Sequence, residues 1–370
     1  MKILLSGGGT LGSVTPLLAI YDIVKEAHPE TRFLWVGTKR GPEKELMKEA
    51  NIRFVSLSSG KFRRYLSLWN VVDIVRVVIG FFQSFKLLWK EQPNLCISAG
   101  GFISVPLHFA AWLLGVPTWI HQQDVAVGLA NKLMAPFASR ITTALEISKK
   151  SFSKRKTRWL GNPVRSEILR GSKEKAKTLF HLDENLPTVF ATGGGTGSLR
   201  VNQLIVEAIS HLKGFCQVIH LSGKERPQEL VERAVKLFPF YQVHQFFTSE
   251  MREAYTAADI IISRGGFGTI TEIAALQKPA ILIPKGGHQE ENVAFLAKAG
   301  AVIYVDEQTS DGNYLAKTIR KLLADPTRQQ RLAKTLHAMM PAAEPEVILE
   351  IVENINESRN NIQFTRNKNQ

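Results

Sequence analysis

The chain has 370 residues, 44% hydrophobic and 22% charged, with a formal net charge of +14. This composition excludes a disordered chain and leaves room for two domains with full cores, while the basic surplus suits a polyanionic partner: nucleic acid, an anionic membrane surface or phosphorylated substrates. The only cysteines, Cys96 and Cys216, lie in separate apolar runs, which excludes a disulfide framework and points to a reducing, cytosolic compartment.

From the N-terminus, KILLS reads as a strand, and SGGGTLGSVTP (6–16) as a glycine loop opening a helix from Pro16 to Glu26. Ser6 and three glycines break the apolar stretch at once, so it does not read as a signal peptide. Gly7, Gly9 and Gly12 spell G-x-G-x-x-G. A dinucleotide site also wants a carboxylate about 20 residues on, after the second strand. That strand, RFLWVG (32–37), is followed instead by Thr38, Lys39 and Arg40. The two cations leave a 2′-phosphorylated cofactor open, but the ribose carboxylate is missing.

Further strands are expected at RFVSLS, NLCISAG, PTWIHQ, RITTAL and TRWLG. Between them, residues 61–90 form a wide apolar face with a narrow polar stripe of Asp73, Arg76, Gln83 and Lys90, downstream of Lys61, Arg63 and Arg64. Charge interrupts it too often for a bilayer span. An apolar helix beside a basic cluster suits an anionic leaflet, with Phe81, Phe82, Phe85 and Trp89 as the apolar contacts, and part of it also suits a core helix. SAGGFISVP (98–106) is a glycine loop at a strand end, fit for an anion or a tight turn. HQQD (121–124) offers His121 and Asp124 for acid/base work or sugar contacts, although a lone histidine after a strand equally suits a structural role.

GNPVR (161–165) marks a joint, after which TVFATGGGTGS (188–198) restates ILLSGGGTLGS (3–13). Each half is therefore expected to begin its own doubly wound α/β domain. CQVIHLSG, YQVHQFF, DIIISRG, PAILIPKG and AVIYVDE continue as strands, with helices near 200–212, 226–237, 249–257, 269–277 and 289–299. The expected division is 1–163, 164–345 and a C-terminal helix and polar tail at 346–370, frayed from Glu357. In SRGGFGTITE (263–272), Gly265, Gly266 and Gly268 let a diphosphate approach a helix N-terminus, beside Arg264. Thr269 and Glu272 then offer a hydroxyl and a ribose-binding carboxylate, or a plain capping pair. GGHQEEN (286–292) places His288 and Gln289 at another strand end, for sugar contacts or for capping. No D-x-D or C-x-x-C occurs, and the histidines lack ligand spacing, so no metal is expected.

Together these motifs resemble the MurG-type glycosyltransferases over about residues 1–350. The resemblance implies a GT-B architecture, two Rossmann-like domains facing a cleft. It implies inverting, metal-independent transfer of N-acetylglucosamine from UDP-N-acetylglucosamine to a polyprenyl-diphosphate-linked muramoyl-pentapeptide. No cofactor and no nucleic acid partner are implied, and the enzyme would sit on the cytoplasmic face of an anionic membrane. The family's donor contacts fall on Thr10, Leu11, Gly12, Asp124, Arg165, Gly195, Thr248, Arg264, Phe267, Gly268, Thr269, Ile270, Thr271, Glu272 and Gln289, and its acceptor loop on Gly100, Gly101 and Ser104. Ser13 stands where the family has a histidine and Leu11 where it has a glycine. The family's H-E-Q-N is here His121, Gln122, Gln123 and Asp124, and the Gln-Gly pair of its second loop is Thr196-Gly197. The catalytic candidates are therefore His121, Asp124 and Ser13, with His121 or Asp124 as base. Rival readings are a UDP-sugar transferase for another lipid acceptor, a sugar-nucleotide epimerase, an oxidoreductase with a phosphorylated dinucleotide, and a binding module that has lost its base.

Overall fold

The computed structural model describes residues 1–60, 68–195, 197–224, 226–247 and 249–368. It divides into one unit of residues 1–165 with 343–370 and a second of 166–342. The basic cluster Lys61, Arg63 and Arg64 lies outside the described residues, as do Thr196 and Thr248.

In the first unit, β1 (Lys2–Ser6), β2 (Arg32–Gly37), β3 (Arg53–Ser56), β4 (Leu95–Ser98), β5 (Thr118–Gln122), β6 (Arg140–Thr143) and β7 (Thr157–Trp159) form a sheet of order β3-β2-β1-β4-β5-β6-β7. Neighbouring strands of this sheet pair in parallel. The helices are α1 (Thr15–Ala27), α2 (Glu43–Glu49), α3 (Leu68–Glu91), α4 (Ser104–Leu113) and α5 (Leu129–Met134). Because helices cover both faces, β1 is apolar without alternation. Ile3 and Leu5 join a core with α1, while Leu4 points to the opposite core with Leu88, Leu107 and Ala110 of α3 and α4.

The second unit repeats the plan. Its strands are β8 (Thr188–Thr192), β9 (Gln217–Leu221), β10 (Tyr241–His244), β11 (Ile260–Ser263), β12 (Ala280–Leu282) and β13 (Ile303–Tyr304), in the order β10-β9-β8-β11-β12-β13. Its helices are α6 (Lys173–Phe180), α7 (Leu199–Ile209), α8 (Glu229–Leu237), α9 (Met251–Ala257), α10 (Phe267–Ala275), α11 (His288–Lys298), α12 (Gly312–Leu323) and α13 (Pro326–Met339). Both sheets start at a central strand, step outward twice, and then cross back to the other side. The two glycine-loop repeats of the sequence follow the two central strands, β1 and β8. In doubly wound sheets that crossover point is where ligands bind.

The last helix, α14 (Pro345–Lys368), belongs to the first unit and continues through the stretch expected to fray. Ile348, Ile351, Val352 and Ile355 fall at helical spacing and join the α1 core. Burial of each such side chain contributes about 1.5–3 kcal/mol, which explains why the chain returns. Among the described residues no helix is long and apolar enough to cross a membrane.

Candidate functional site

The first glycine loop is held from three directions. Trp35 of β2 donates through Nε1 to the Gly7 carbonyl (3.0 Å), and Gln123 donates through Nε2 to the Gly12 carbonyl (2.7 Å). Glu43, the first residue of α2, accepts the Gly9 N–H (3.2 Å). Gly9 has φ +83°, a left-handed conformation that glycine adopts without steric cost. At Gly8 a Cβ would lie 2.2 Å from the Glu43 carboxylate, so a larger residue there would have to displace that carboxylate. The acid that sequence reading sought after β2 therefore exists. It sits in the next helix and is spent on the loop itself, not on a ribose.

The loop after β4 lies against this one. Gly100 and Gly101 have φ +101° and +92°, and a Cβ on Gly101 would lie 3.4 Å from the Gly8 carbonyl. Ser104 was expected to face the acceptor. Its hydroxyl is instead buried, 2.9 Å from Ser6 Oγ and donating to backbone carbonyls, so it ties α4 to β1.

Two of the three catalytic candidates are removed by their surroundings. His121 is fully buried on β5, with Nδ1 2.9 Å from Thr142 Oγ1 and Nε2 2.7 Å from Asn162 Oδ1. Burial pushes its pKa down to about 4, against the opposing Asn162 bond. It is a satisfied core histidine and cannot reach a substrate proton. Ser13 donates its hydroxyl to the Thr10 carbonyl (3.3 Å), closing the short turn Leu11–Ser13. A hydroxyl used in that way shapes the loop and removes no proton. Asp124 remains, half-buried just past the end of β5, where its own carbonyl is held by Gln122 Nε2 (2.8 Å) and Ser148 Oγ (3.3 Å).

In the second unit the restated loop runs through Gly194 and Gly197, with φ +79° and +71°, and leaves Gly195 exposed. It ends at Ser198, whose hydroxyl accepts the Val201 N–H and caps α7. The next motif follows β11. Gly265 packs so tightly on α11 that a Cβ would meet Val293 at 2.6 Å, whereas Gly266 faces open space and is the N-cap of α10. No side chain caps that helix, so Thr269 and Glu272 are not a capping pair. Its first backbone N–H groups remain for an anion, with Gly268 and Thr269 half-exposed there. Ile270 and Thr271 turn their side chains into the core and can offer only backbone, as can the buried Phe267.

Glu272 is buried one turn into α10 and accepts a hydrogen bond from the Tyr255 hydroxyl (2.9 Å). That bond fixes the carboxylate's direction. Arg264, expected to neutralise a diphosphate, is committed elsewhere. Its Nε donates to Ser198 Oγ (2.8 Å) and its Nη1 to the Ile283 carbonyl (3.1 Å) and the Glu307 carboxylate. It clamps the two glycine loops of this unit together. Gln289, in the first turn of α11, accepts the Lys285 N–H (3.2 Å) and steadies the loop before it. That helix is capped by Gly287, so Gln289 and the exposed His288 do not serve as its caps. Arg165 is the half-buried last residue before the second unit.

Sequence reading missed Trp35, Glu43, Tyr255 and Glu307. Each acts on a residue distant in sequence, and no local signal marks them.

Residues 3–143 match the glycosyltransferase family 28 N-terminal domain, and residues 188–349 its C-terminal domain. A Clostridium kluyveri protein is 35% identical over 327 residues, 87% of this chain and 91% of the relative. It is named UDP-N-acetylglucosamine–N-acetylmuramyl-(pentapeptide) pyrophosphoryl-undecaprenol N-acetylglucosamine transferase. A Clostridium botulinum relative of the same name is 33% identical over 95% of this chain and 97% of its own length. Among solved structures, MurG from Acinetobacter baumannii superposes with a TM-score of 0.74 at 21% identity, covering 96% of this chain and 99% of that one. This last likeness is one of fold.

Proposed function

Because the chain belongs to glycosyltransferase family 28, we propose that it transfers N-acetylglucosamine from UDP-N-acetylglucosamine to the muramoyl-pentapeptide of an undecaprenyl-diphosphate carrier. The observation that carries this reading is the start of α10. An uncapped helix end stands at a glycine with open space, and the oriented Glu272 carboxylate lies one turn in. That arrangement holds a nucleoside diphosphate by its diphosphate and its ribose. Gly195, Gln289 and Arg165 complete the donor side with Thr248, while Thr10, Leu11, Gly12, Gly100 and Gly101 serve the reacting end and the acceptor.

In the reaction the acceptor hydroxyl attacks the anomeric carbon as the bond to the UDP oxygen breaks, inverting that centre. Asp124 takes the hydroxyl proton. Charge developing on the diphosphate meets backbone N–H groups and the α10 dipole, so no metal ion is required. NMR of the product tests this: a sugar β-linked to the acceptor, with one equivalent of UDP released, is expected, and a retained α-linkage or free epimerised sugar would reject it.

The acceptor's lipid tail places this enzyme on a membrane surface, the cytoplasmic face by this reading. A patch on the first unit suits that position. Val75, Ile79, Phe82 and Trp89 of α3 are exposed, with Lys86 and Lys90 on the same helical stripe. Phe109 and Trp112 of α4 extend it, their rings stacked 5.7 Å apart and both against Phe137. The basic surplus is thereby assigned to an anionic leaflet and not to nucleic acid. Phe81 and Phe85, counted as membrane contacts from the sequence, pack partly against the α3–α4 core instead.

A further inference from the structure

We infer that Glu43 is a positioning residue for the transfer reaction, acting through the first glycine loop; this rests on the proposed function. Glu43 is a fully buried carboxylate whose two oxygens do different work. Oε1 accepts both the backbone N–H and the hydroxyl of Thr38, each at 2.6 Å. Oε2 accepts the Gly9 N–H at 3.2 Å. One side chain therefore joins the β2–α2 loop to the tip of the β1–α1 loop. Both loops are shaped to admit it: a Cβ would lie 2.2 Å from a Glu43 oxygen at Gly8 and 2.0 Å at Gly41.

The side chains of Trp35 and Gln123 restrain this loop by neutral hydrogen bonds to its carbonyls, at Gly7 and Gly12. The Gly7 N–H is held by the Val36 carbonyl at the loop's start (3.2 Å), and Glu43 is the side chain that holds an N–H at its tip, at Gly9, next to Thr10. Satisfying that donor internally keeps the tip in one conformation before any ligand arrives. It also fills the space beside Gly8. Glu43 thus holds a loop of dinucleotide-binding pattern in one fixed conformation.

The chemistry supplies a discriminating variant. In Glu43→Gln only one oxygen remains. It stays with the two Thr38 donors, and the new NH2 then faces the Gly9 N–H, donor against donor. The core volume is unchanged but the loop tip is released. Hydrogen–deuterium exchange of the purified full chain should show faster exchange for the peptide spanning 6–14, with peptides of the second unit unaffected. Turnover should fall on the order of 10²-fold, as expected when a reacting group is misplaced, while UDP affinity by calorimetry changes far less. If the Gln variant does not fold, Glu43→Asp, which keeps the charge on a shorter stem, carries the same three readouts. Unchanged loop exchange, or a kcat loss equalled by the loss of UDP affinity, would overturn the assignment. The exchange readout does not depend on the substrate. A parent enzyme that transfers no sugar, but whose loop is still released by the substitution, would reject the proposed function and leave the clamp standing.

Discussion

Replacing Phe82 and Trp89 together by serine should detach the protein from membranes without unfolding it. Phe82 is 66% exposed and Trp89 68%. An aromatic side chain offers about 200 Å2, so about 130 Å2 of each remains to be buried by lipid. At about 25 cal/mol per Å2 this amounts to about 3 kcal/mol apiece, or about 6 kcal/mol for the pair. An interfacial helix sinks only one face, so about half of that, about 3 kcal/mol, is expected. Partitioning should then weaken about 100-fold. Sedimentation with vesicles of mixed anionic and neutral lipid measures it, and the thermal midpoint of the variant should match the parent. Serine at Phe81 or Phe85 would not serve, because those rings support the core behind α3. Undiminished vesicle binding by a folded double variant would refute the reasoning and leave α3 as an ordinary exposed helix.

Glu272→Ala should weaken UDP binding on the order of tenfold or more through lost charge-assisted bonds to ribose, and Tyr255→Phe should weaken it less; equal calorimetric affinities for parent and Glu272→Ala would move the donor elsewhere. A chelator should leave turnover unchanged, and activity lost to it and restored by magnesium or manganese would contradict the charge stabilisation described. His108 is fully buried, its ring nitrogens have no hydrogen-bond partner among the described residues, and burial pushes its pKa down to about 3. The unfolded chain, with a histidine pKa of about 6.5, binds a proton that the fold refuses, so stability is lost as pH falls below about 6.5. Between pH 7 and pH 5 that loss is about 2 kcal/mol, and urea titrations of His108→Leu should lack it; parallel pH profiles for parent and variant would show that His108 does not carry it.

The fold was legible because its signals are local. Strand, glycine loop and helix succeed one another within a few residues at Gly7 and again at Gly193, and two such starts imply two parallel sheets. The helix of Ile348, Ile351, Val352 and Ile355 was legible too, but not the unit it packs on, since an apolar stripe does not name its partner. Site chemistry was harder for the same reason. Arg264 reads as a phosphate cation until Glu307, far downstream in sequence, is found against it. His121 reads as a base until Thr142 and Asn162 occupy both nitrogens. Glu43 was passed over because the acid was sought at the end of β2, not in the helix beyond it.

The central claim is settled by transfer itself. Purified enzyme, UDP-N-acetylglucosamine labelled in the sugar, and vesicles carrying undecaprenyl-diphospho-muramoyl-pentapeptide are incubated together and the lipid is extracted. The label should appear in the lipid fraction as a disaccharide-pentapeptide, only with the intact polyprenyl acceptor, and should fall sharply with Asp124→Asn. Label that stays in the aqueous phase as unreacted or epimerised nucleotide sugar, or that enters a different lipid acceptor in preference, would contradict the assignment.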